Sequence, residues 1–221
     1  MIRILDIILS GLALVLLAPL LLSIMIILKL TGEHEVFYFQ ERIGKDGKPF
    51  YLWKFATMIS NSQNMEGGYI TTKNDSRVLP FGKFLRKSKI NELPQLINIL
   101  IGDMSVVGPR PKVNAHLAFY PQETLDEILS IKPGLTGIAS LFFRDEESMI
   151  AKSTLPPSDF YQSYIGPYKS KLEIWYLSKK SIYMYIKIIA LTAWSVVFPR
   201  SQAYRKVFKD LPEAPKELLI A

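Results

Sequence analysis

Cysteine is absent from all 221 residues. Disulfides, thiolate metal sites and a cysteine nucleophile are thereby excluded, and the absence suits a reducing compartment. Histidine is nearly absent as well: His34 and His116 stand far apart, suggest no metal cluster, and read as ordinary surface or loop residues. Acidic residues are in deficit, 20 Asp and Glu against 27 Lys and Arg, which leaves a net charge of +7. That balance asks for an anionic partner. Membrane lipid headgroups can supply one, at ~1 kcal/mol for each basic residue near an anionic surface. Nucleic acid is the rival, but no nucleic-acid-binding motif is present, so no nucleic acid is expected. Repeats are lacking too, and at this length there is room for one membrane element and one compact domain but not for a second large one.

From Ile7 to Leu28 charge itself is missing, over a length sufficient to cross a hydrocarbon core of about 30 Å. No small-residue cleavage pattern follows before Lys29, so the run reads as membrane-embedded rather than as a signal peptide. Pro19 sits mid-run, where it removes a backbone hydrogen bond and tends to kink or break a helix. A straight span and a re-entrant bend are both open, and the cost of exposed backbone in lipid makes a kinked spanning helix the commoner outcome. Cations flank both ends, Arg3 before and Lys29, Arg42 and Lys45 after, which fits a hairpin slightly better.

What is present centres on Leu85 to Pro111, LRKSKINELPQLINILIGDMSVVGPRP. The apolar positions Leu93, Leu96, Ile97, Leu100 and Ile101 have helical spacing, with Asn91 at or just before the cap, Pro94 in the first turn and Gly102 as the stop. Arg86 and Lys87 precede this helix, and cations beside unpaired amides favour phosphate. Glu92 among them is a candidate Mg2+ ligand, since that ion takes oxygen ligands and shares them with substrate phosphates. The plainer alternative is an amphipathic helix with a solvated basic entrance.

Around this segment the pattern is mixed. Val36–Phe39 and Phe50–Trp53 are aromatic β-prone runs separated by a turn sequence, and they read as a hairpin. Residues 59–73 read as a polar, mobile loop. Arg77, in Asp75-Ser76-Arg77, is a candidate to orient a nearby carboxylate, or else makes a simple surface ion pair. His116 to Ile131 reads as helical with a break near Pro121, and Asp145-Glu146-Glu147 as a solvated helix start rather than a site for a metal or sugar hydroxyl. Leu172 to Phe198 reads as amphipathic, lying on a membrane or capping the domain, because Lys179, Lys180 and Lys187 interrupt it.

Five blocks in order resemble the bacterial sugar transferase family, the monotopic polyprenyl-phosphate phosphoglycosyl transferases. They are the N-terminal apolar segment, Gln40–Gly44 through Lys54-Phe55, the 85–111 stretch with its Glu-Leu-Pro-Gln-Leu and Gly-Asp-Met-Ser-Val-Val-Gly-Pro-Arg-Pro strings, Lys132–Gly137, and Trp175-Tyr176. The resemblance implies an α+β fold: a re-entrant membrane helix-hairpin over 1–32, a small, mostly helical cytoplasmic domain over 33–200 with a short β-hairpin and interfacial amphipathic helices, and a loose tail over 201–221. It implies a location on the cytoplasmic face of the bacterial inner membrane. The implied reaction is transfer of a phospho-sugar from a UDP-sugar to undecaprenyl phosphate, giving a polyprenyl diphosphate sugar and UMP, with Mg2+ as cofactor. That step initiates a surface glycan such as exopolysaccharide, capsule or the O-antigen of lipopolysaccharide, and a homodimer is one arrangement open to it. By resemblance Arg86, Lys87, Arg110, Lys54 and Arg77 are the phosphate and substrate contacts, Asn91 and Glu92 the catalytic pair, Glu92 the metal ligand, and Pro19 the membrane break.

The chain departs from the family at several places, among them Ala139–Arg144, where members often carry Gln-Val-Asn-Gly-Arg. Ala18 replaces the usual Ser before Pro19, Ala56 replaces an Arg, and Asn91 stands where members carry the nucleophilic Asp. Three readings of Asn91 stay open: an Asp→Asn change in an otherwise ordinary member, a native Asn with attack by Glu92 or directly by the acceptor phosphate, or a catalytically silent relative that binds lipid or a partner transferase.

Overall fold

The structure, a computed structural model, describes residues 1–65, 71, 75–199 and 201–219. It is mixed helix and sheet, and it divides into two compact units, Met1–Glu41 with Phe50–Met104, and Arg42–Pro49 with Ser105–Ala221.

The first unit opens with α1 (Ile2–Leu30), 29 residues and the one described helix long and apolar enough to cross a membrane. It runs unbroken across Pro19, whose carbonyl accepts from Ser23 Oγ at 2.8 Å. Two separate segments joined by a turn, as a hairpin would require, are not what the backbone forms. Only Asp6, Ser10, Ile24 and Leu28 of α1 are buried. The first two lie near one end and the last two near the other. Strands β1 (Phe37–Ile43) and β2 (Pro49–Phe55) form the expected hairpin, turning at Asp46 and Gly47, both at positive φ. Phe37 stacks on Phe55 at 5.7 Å and meets Trp53 edge-on at 5.5 Å. Phe55, Leu85, Ile24 and Leu28 make the core here, which ties the end of α1 to β2 and to α2 (Pro80–Lys87).

Helix α3 (Gln95–Ile101) follows, stopped by Gly102 at φ 106° as expected. Its orientation differs from the sequence expectation. The buried residues are Gln95, Leu96, Asn98 and Ile99, while Leu100 and Ile101 are exposed. The reason is Asn98, whose amide serves the edge of β2, accepting from Trp53 N–H at 3.0 Å and donating to the Tyr51 carbonyl at 2.8 Å. That demand turns a polar residue inward and leaves Leu100 beside α1, where it faces Gly11. Arg3 donates to the Leu100 carbonyl at 2.7 Å and also to that of Ile99, satisfying the end of α3. Of the loop expected over 59–73, residues 66–70, 72 and 73 lie outside the described residues. Its earlier part contains a short 3-10 turn, Ser62–Asn64.

The second unit is built on a small parallel pair that the sequence did not reveal: β3 (Ser105–Val107) beside β4 (Gly134–Thr136), with Ser105 opposite Gly134 and Val107 opposite Thr136. Between them lie α4 (Asn114–Leu117) and α5 (Gln122–Leu129), broken at Pro121 as expected. Then come α6 (Ile138–Phe142), α7 (Glu146–Lys152), α8 (Pro157–Phe160), a π-helical turn over Tyr161–Ile165, α9 (Gly166–Ser178) and α10 (Ile182–Val197). The late apolar stretch is therefore two helices, divided at Lys179–Ser181, with Ser181 Oγ capping α10 by accepting from Met184 N–H. Helix α10 lies against both strands, and Thr192 hydrogen-bonds Thr136 across that contact at 2.7 Å.

The tail is not loose. Helix α11 (Ala203–Val207) and a 3-10 turn at Lys216–Leu218 bury Tyr204, Phe208 and Leu218, and Tyr168 donates to the Pro212 carbonyl at 2.8 Å. Its charged and prolyl residues suggested a free tail, but three spaced apolar side chains are enough to hold it.

Candidate active site

In the first unit, α2 delivers Arg86 and Lys87 in its last turn. The chain then reverses through Lys89 at φ 61°, left-handed backbone that is uncommon for any residue but glycine. Ile90–Glu92 follows as a single 3-10 turn before α3. Asn91 lies inside that turn, so it does not cap the helix. It is 7% exposed, and its Oδ1 is buried without a hydrogen-bond partner among the described residues. One turn later Gln95, 1% exposed, leaves Nε2 in the same condition. A buried orphan of this kind costs about 1–3 kcal/mol, which makes the pair an expensive arrangement for a purely structural turn. Glu92 is half-buried beside them.

The cations around this turn are not equivalent. Arg77 is 4% exposed and committed to Asp75, which accepts from its Nε at 2.9 Å and its Nη2 at 2.6 Å, while Nη1 donates to the Ser62 carbonyl. It makes the ion pair of the two sequence readings a buried one rather than a surface one. The hydrogen bond from Arg77 holds the Asp75 carboxyl below its ordinary range against the effect of burial, with the charge of Arg86 adding to it. Arg86 is half-buried, its Nη1 3.8 Å from Met58 Sδ. Lys54 is half-buried on β2 and Lys87 is exposed. Glu92 and the Asn91 carboxamide are the oxygen donors of this turn, of the type that Mg2+ takes together with phosphates. Among the described residues no group of three or more acidic or histidine side chains forms a metal cage.

Arg110 belongs to the second unit, between Pro109 and Pro111. Here two sequence blocks prove to be halves of one feature, because a Cβ on Gly134 would stand 2.1 Å from Gly108 N, and one on Gly108 would stand 2.6 Å from the Lys132 carbonyl. Only glycine allows the Gly-Pro-Arg-Pro and Lys-Pro-Gly-Leu-Thr-Gly backbones to approach so closely. A pocket beside them is lined by Ile43, Gly44, Pro109, Arg110, Lys112 and Pro133 among others. Behind it lie charges that sequence reasoning passed over. Lys112 and Glu173 form a buried pair at 2.8 Å, and buried Lys169 donates to Glu146 at 2.6 Å and to the Tyr161 hydroxyl at 3.1 Å. Glu146 is thus engaged rather than solvated. Burial pushes the Lys112 amine down, with Glu173 opposing. The available signal was Glu173 itself, a lone carboxylate in Leu172-Glu173-Ile174-Trp175.

A profile of the family described as bacterial sugar transferase matches residues 1–199. The chain belongs to the bacterial sugar transferase family. It is 37% identical over 195 residues to the UDP-glucose:undecaprenyl-phosphate glucose-1-phosphate transferase of Klebsiella pneumoniae, covering 87% of this chain and 39% of that protein. It is 39% identical over 157 residues to the exopolysaccharide production protein ExoY of Rhizobium meliloti, covering 65% of this chain and 69% of that one. A third relative, the undecaprenyl-phosphate galactose phosphotransferase of Salmonella typhimurium, is 35% identical over 158 residues, 65% of this chain and 33% of the relative. The chain thus spans about two fifths of the length of the Klebsiella transferase. The buried turn that carries Asn91 lies within the stretch that the family profile matches.

Proposed function

We propose that the chain transfers a phospho-sugar from a UDP-sugar to undecaprenyl phosphate, releasing UMP and initiating a bacterial surface glycan. The observation that carries this reading is the 37% identity to a UDP-glucose:undecaprenyl-phosphate glucose-1-phosphate transferase over 195 residues, together with a family match that takes in anchor helix and candidate site alike. Arg86, Lys87, Lys54 and Arg110 hold phosphate oxygens, and Arg77 keeps Asp75 in place. Glu92 and the Asn91 oxygen hold Mg2+, which supplies charge neutralisation at the diphosphate.

A carboxamide oxygen is uncharged and weakly basic, so Asn91 is not a nucleophile for phosphorus. The chemistry then runs as a direct displacement. An oxygen of the acceptor phosphate bonds to the sugar-side phosphorus, the bond to the UMP oxygen breaks, and UMP leaves with that electron pair. The chain's contribution is orientation and charge stabilisation.

Helix α1 is proposed to sit in the membrane as one continuous helix with both of its ends on the cytoplasmic face. Support comes from its two ends. Near Arg3 and Gly11 it meets α3, near Ile24 and Leu28 it meets Phe55 and Leu85, and both contacts lie in one unit. Between them Leu12, Val15, Leu16, Leu20 and Leu22 are exposed. Exposed Trp194, Val196, Val197 and Phe198 on and after α10 suit an interfacial placement.

Purified protein, undecaprenyl phosphate and Mg2+ incubated with a set of UDP-sugars test the proposal by UMP release. One sugar giving acceptor-dependent UMP is the expected outcome. Silence with every donor would leave a lipid- or partner-binding relative instead.

A further inference from the structure

Every carbonyl from Pro109 to Lys112 is held, and by four different donors. Gly134 N–H reaches Pro109 at 2.7 Å, Lys112 Nζ reaches Arg110 at 3.4 Å, Arg42 Nη1 reaches Pro111 at 3.1 Å, and Ile43 N–H reaches Lys112 at 2.8 Å. Prolines on both sides of Arg110 fix their own φ and restrict that of their neighbour. The backbone that presents Arg110 is therefore over-determined, and the one side chain that reaches back to its carbonyl is Lys112.

Lys112 is in turn anchored by Glu173, at 2.8 Å, with side chains only 6% and 2% exposed. The Lys112 ammonium also lies 4.5 Å from the centre of the Tyr120 ring. A buried ion pair is a poor source of net stability, because apolar residues of similar volume do as well or better. This one is not even complete, since Glu173 Oε1 has no hydrogen-bond partner among the described residues. What the pair does supply is a fixed direction for the backbone two residues after Arg110.

We propose that Lys112 and Glu173 are positioning residues for Arg110, holding the Pro109–Lys112 backbone so that the Arg110 guanidinium meets a phosphate oxygen of the sugar nucleotide. This rests on the reading of Arg110 as a phosphate contact. Neither residue touches substrate. Their effect passes through Arg110 alone.

The test uses the full chain and an apolar replacement of the pair, Lys112→Met with Glu173→Leu, because either change alone strands a buried charge or a cavity and risks misfolding. Glu173→Gln serves as a second, milder variant. Three readouts are taken: melting temperature, amide hydrogen exchange, and UDP affinity by calorimetry. Positioning predicts an almost unchanged melting temperature, with faster exchange confined to Ile43 and Gly134, whose N–H groups hold the clamp. UDP affinity should fall by about ten-fold, as it does for Arg110→Lys in the native background, and adding Arg110→Lys to the apolar pair should cost less than about two-fold more. Multiplying effects, unchanged exchange at Ile43 and Gly134, or faster exchange spread evenly over 105–219 each overturn the proposal. So does a native chain that does not bind UDP. The transfer reading is judged separately by UMP release: a chain that binds UDP but releases no UMP loses that reading, while the affinity cycle still decides the positioning.

Discussion

Asn98 takes the place of a neighbouring strand for Trp53, accepting its backbone N–H at 3.0 Å while returning a donor to the Tyr51 carbonyl at 2.8 Å. A single fully buried carboxamide thus joins α3 to the hairpin.

Replacing it by Leu keeps the bulk and strands both backbone groups. At about 1–3 kcal/mol for each orphan, Asn98→Leu should cost about 3 kcal/mol, read as a lower denaturation midpoint in detergent. Asn98→Asp should be at least as damaging, because the amide also donates to Asp103 at 3.2 Å and a carboxylate there would face another. A loss below about 1 kcal/mol for Leu would show that α3 and β2 are joined by other means.

Changing Asn91 to Asp restores a carboxylate to the buried turn. UMP release should then rise and should no longer require acceptor lipid, because the enzyme itself can take the phospho-sugar. Glu92→Gln should abolish release in either background. Strict acceptor dependence persisting in Asn91→Asp would count against a nucleophile at this position.

The path of α1 is read by single cysteines, which this cysteine-free chain permits without background. Placed before Arg3 and after Lys29, both should resist an impermeant thiol reagent in intact cells and react after permeabilisation. Labelling of the N-terminal site alone from outside would establish a spanning helix.

The His116 ring lies tilted against that of Tyr161, with centroids 5.0 Å apart, and burial, reinforced by the charges of Arg42 and Lys169, lowers its pKa to about 4. Its folded value lies below the unfolded value of about 6.5, so the unfolded chain takes up a proton first as pH falls. The stability contributed by neutral His116 is fully present above about pH 6.5 and is lost as pH falls towards about 4. Melting temperature followed over that window should drop less steeply for His116→Gln than for the native chain. Parallel curves would assign the acid sensitivity to other groups.

Sequence showed best what repeats over several residues. The apolar run of α1, the aromatic alternation around Asp46-Gly47, and the stop at Gly102 could all be read from local pattern. The buried face of α3 could not, because it is dictated by Asn98 answering two backbone groups of β2, and those are distant in the chain. The strands Ser105–Val107 and Gly134–Thr136 are three residues each, too short to carry a period, and exist only through one another. The burial of Asp6 and Glu173 could not be read either, since burial of a single polar residue leaves no mark in its neighbours. Asn91 and Glu92 share one 3-10 turn, while Arg86 stands just upstream in the last turn of α2. That the Arg77–Asp75 pair is buried rather than on the surface could not be read from Asp75-Ser76-Arg77 alone.

The parallel pairing of β3 with β4 also sets an order of events during synthesis. Chains emerge from the ribosome amino end first, and every residue of the first unit has been made once Met104 is out. The Gly108 N–H must then wait for the Thr136 carbonyl, its partner at 2.9 Å, and Lys112 must wait longer for Glu173. A chain caught between these points already carries its apolar helix, α2 with Arg86 and the turn with Asn91 and Glu92, and Arg42 and Ile43 can already hold Pro111 and Lys112, yet the Pro109 carbonyl still lacks Gly134. Interrupted translation therefore leaves the second unit unfinished, and the Lys112 clamp is completed late, with the helix that carries Glu173.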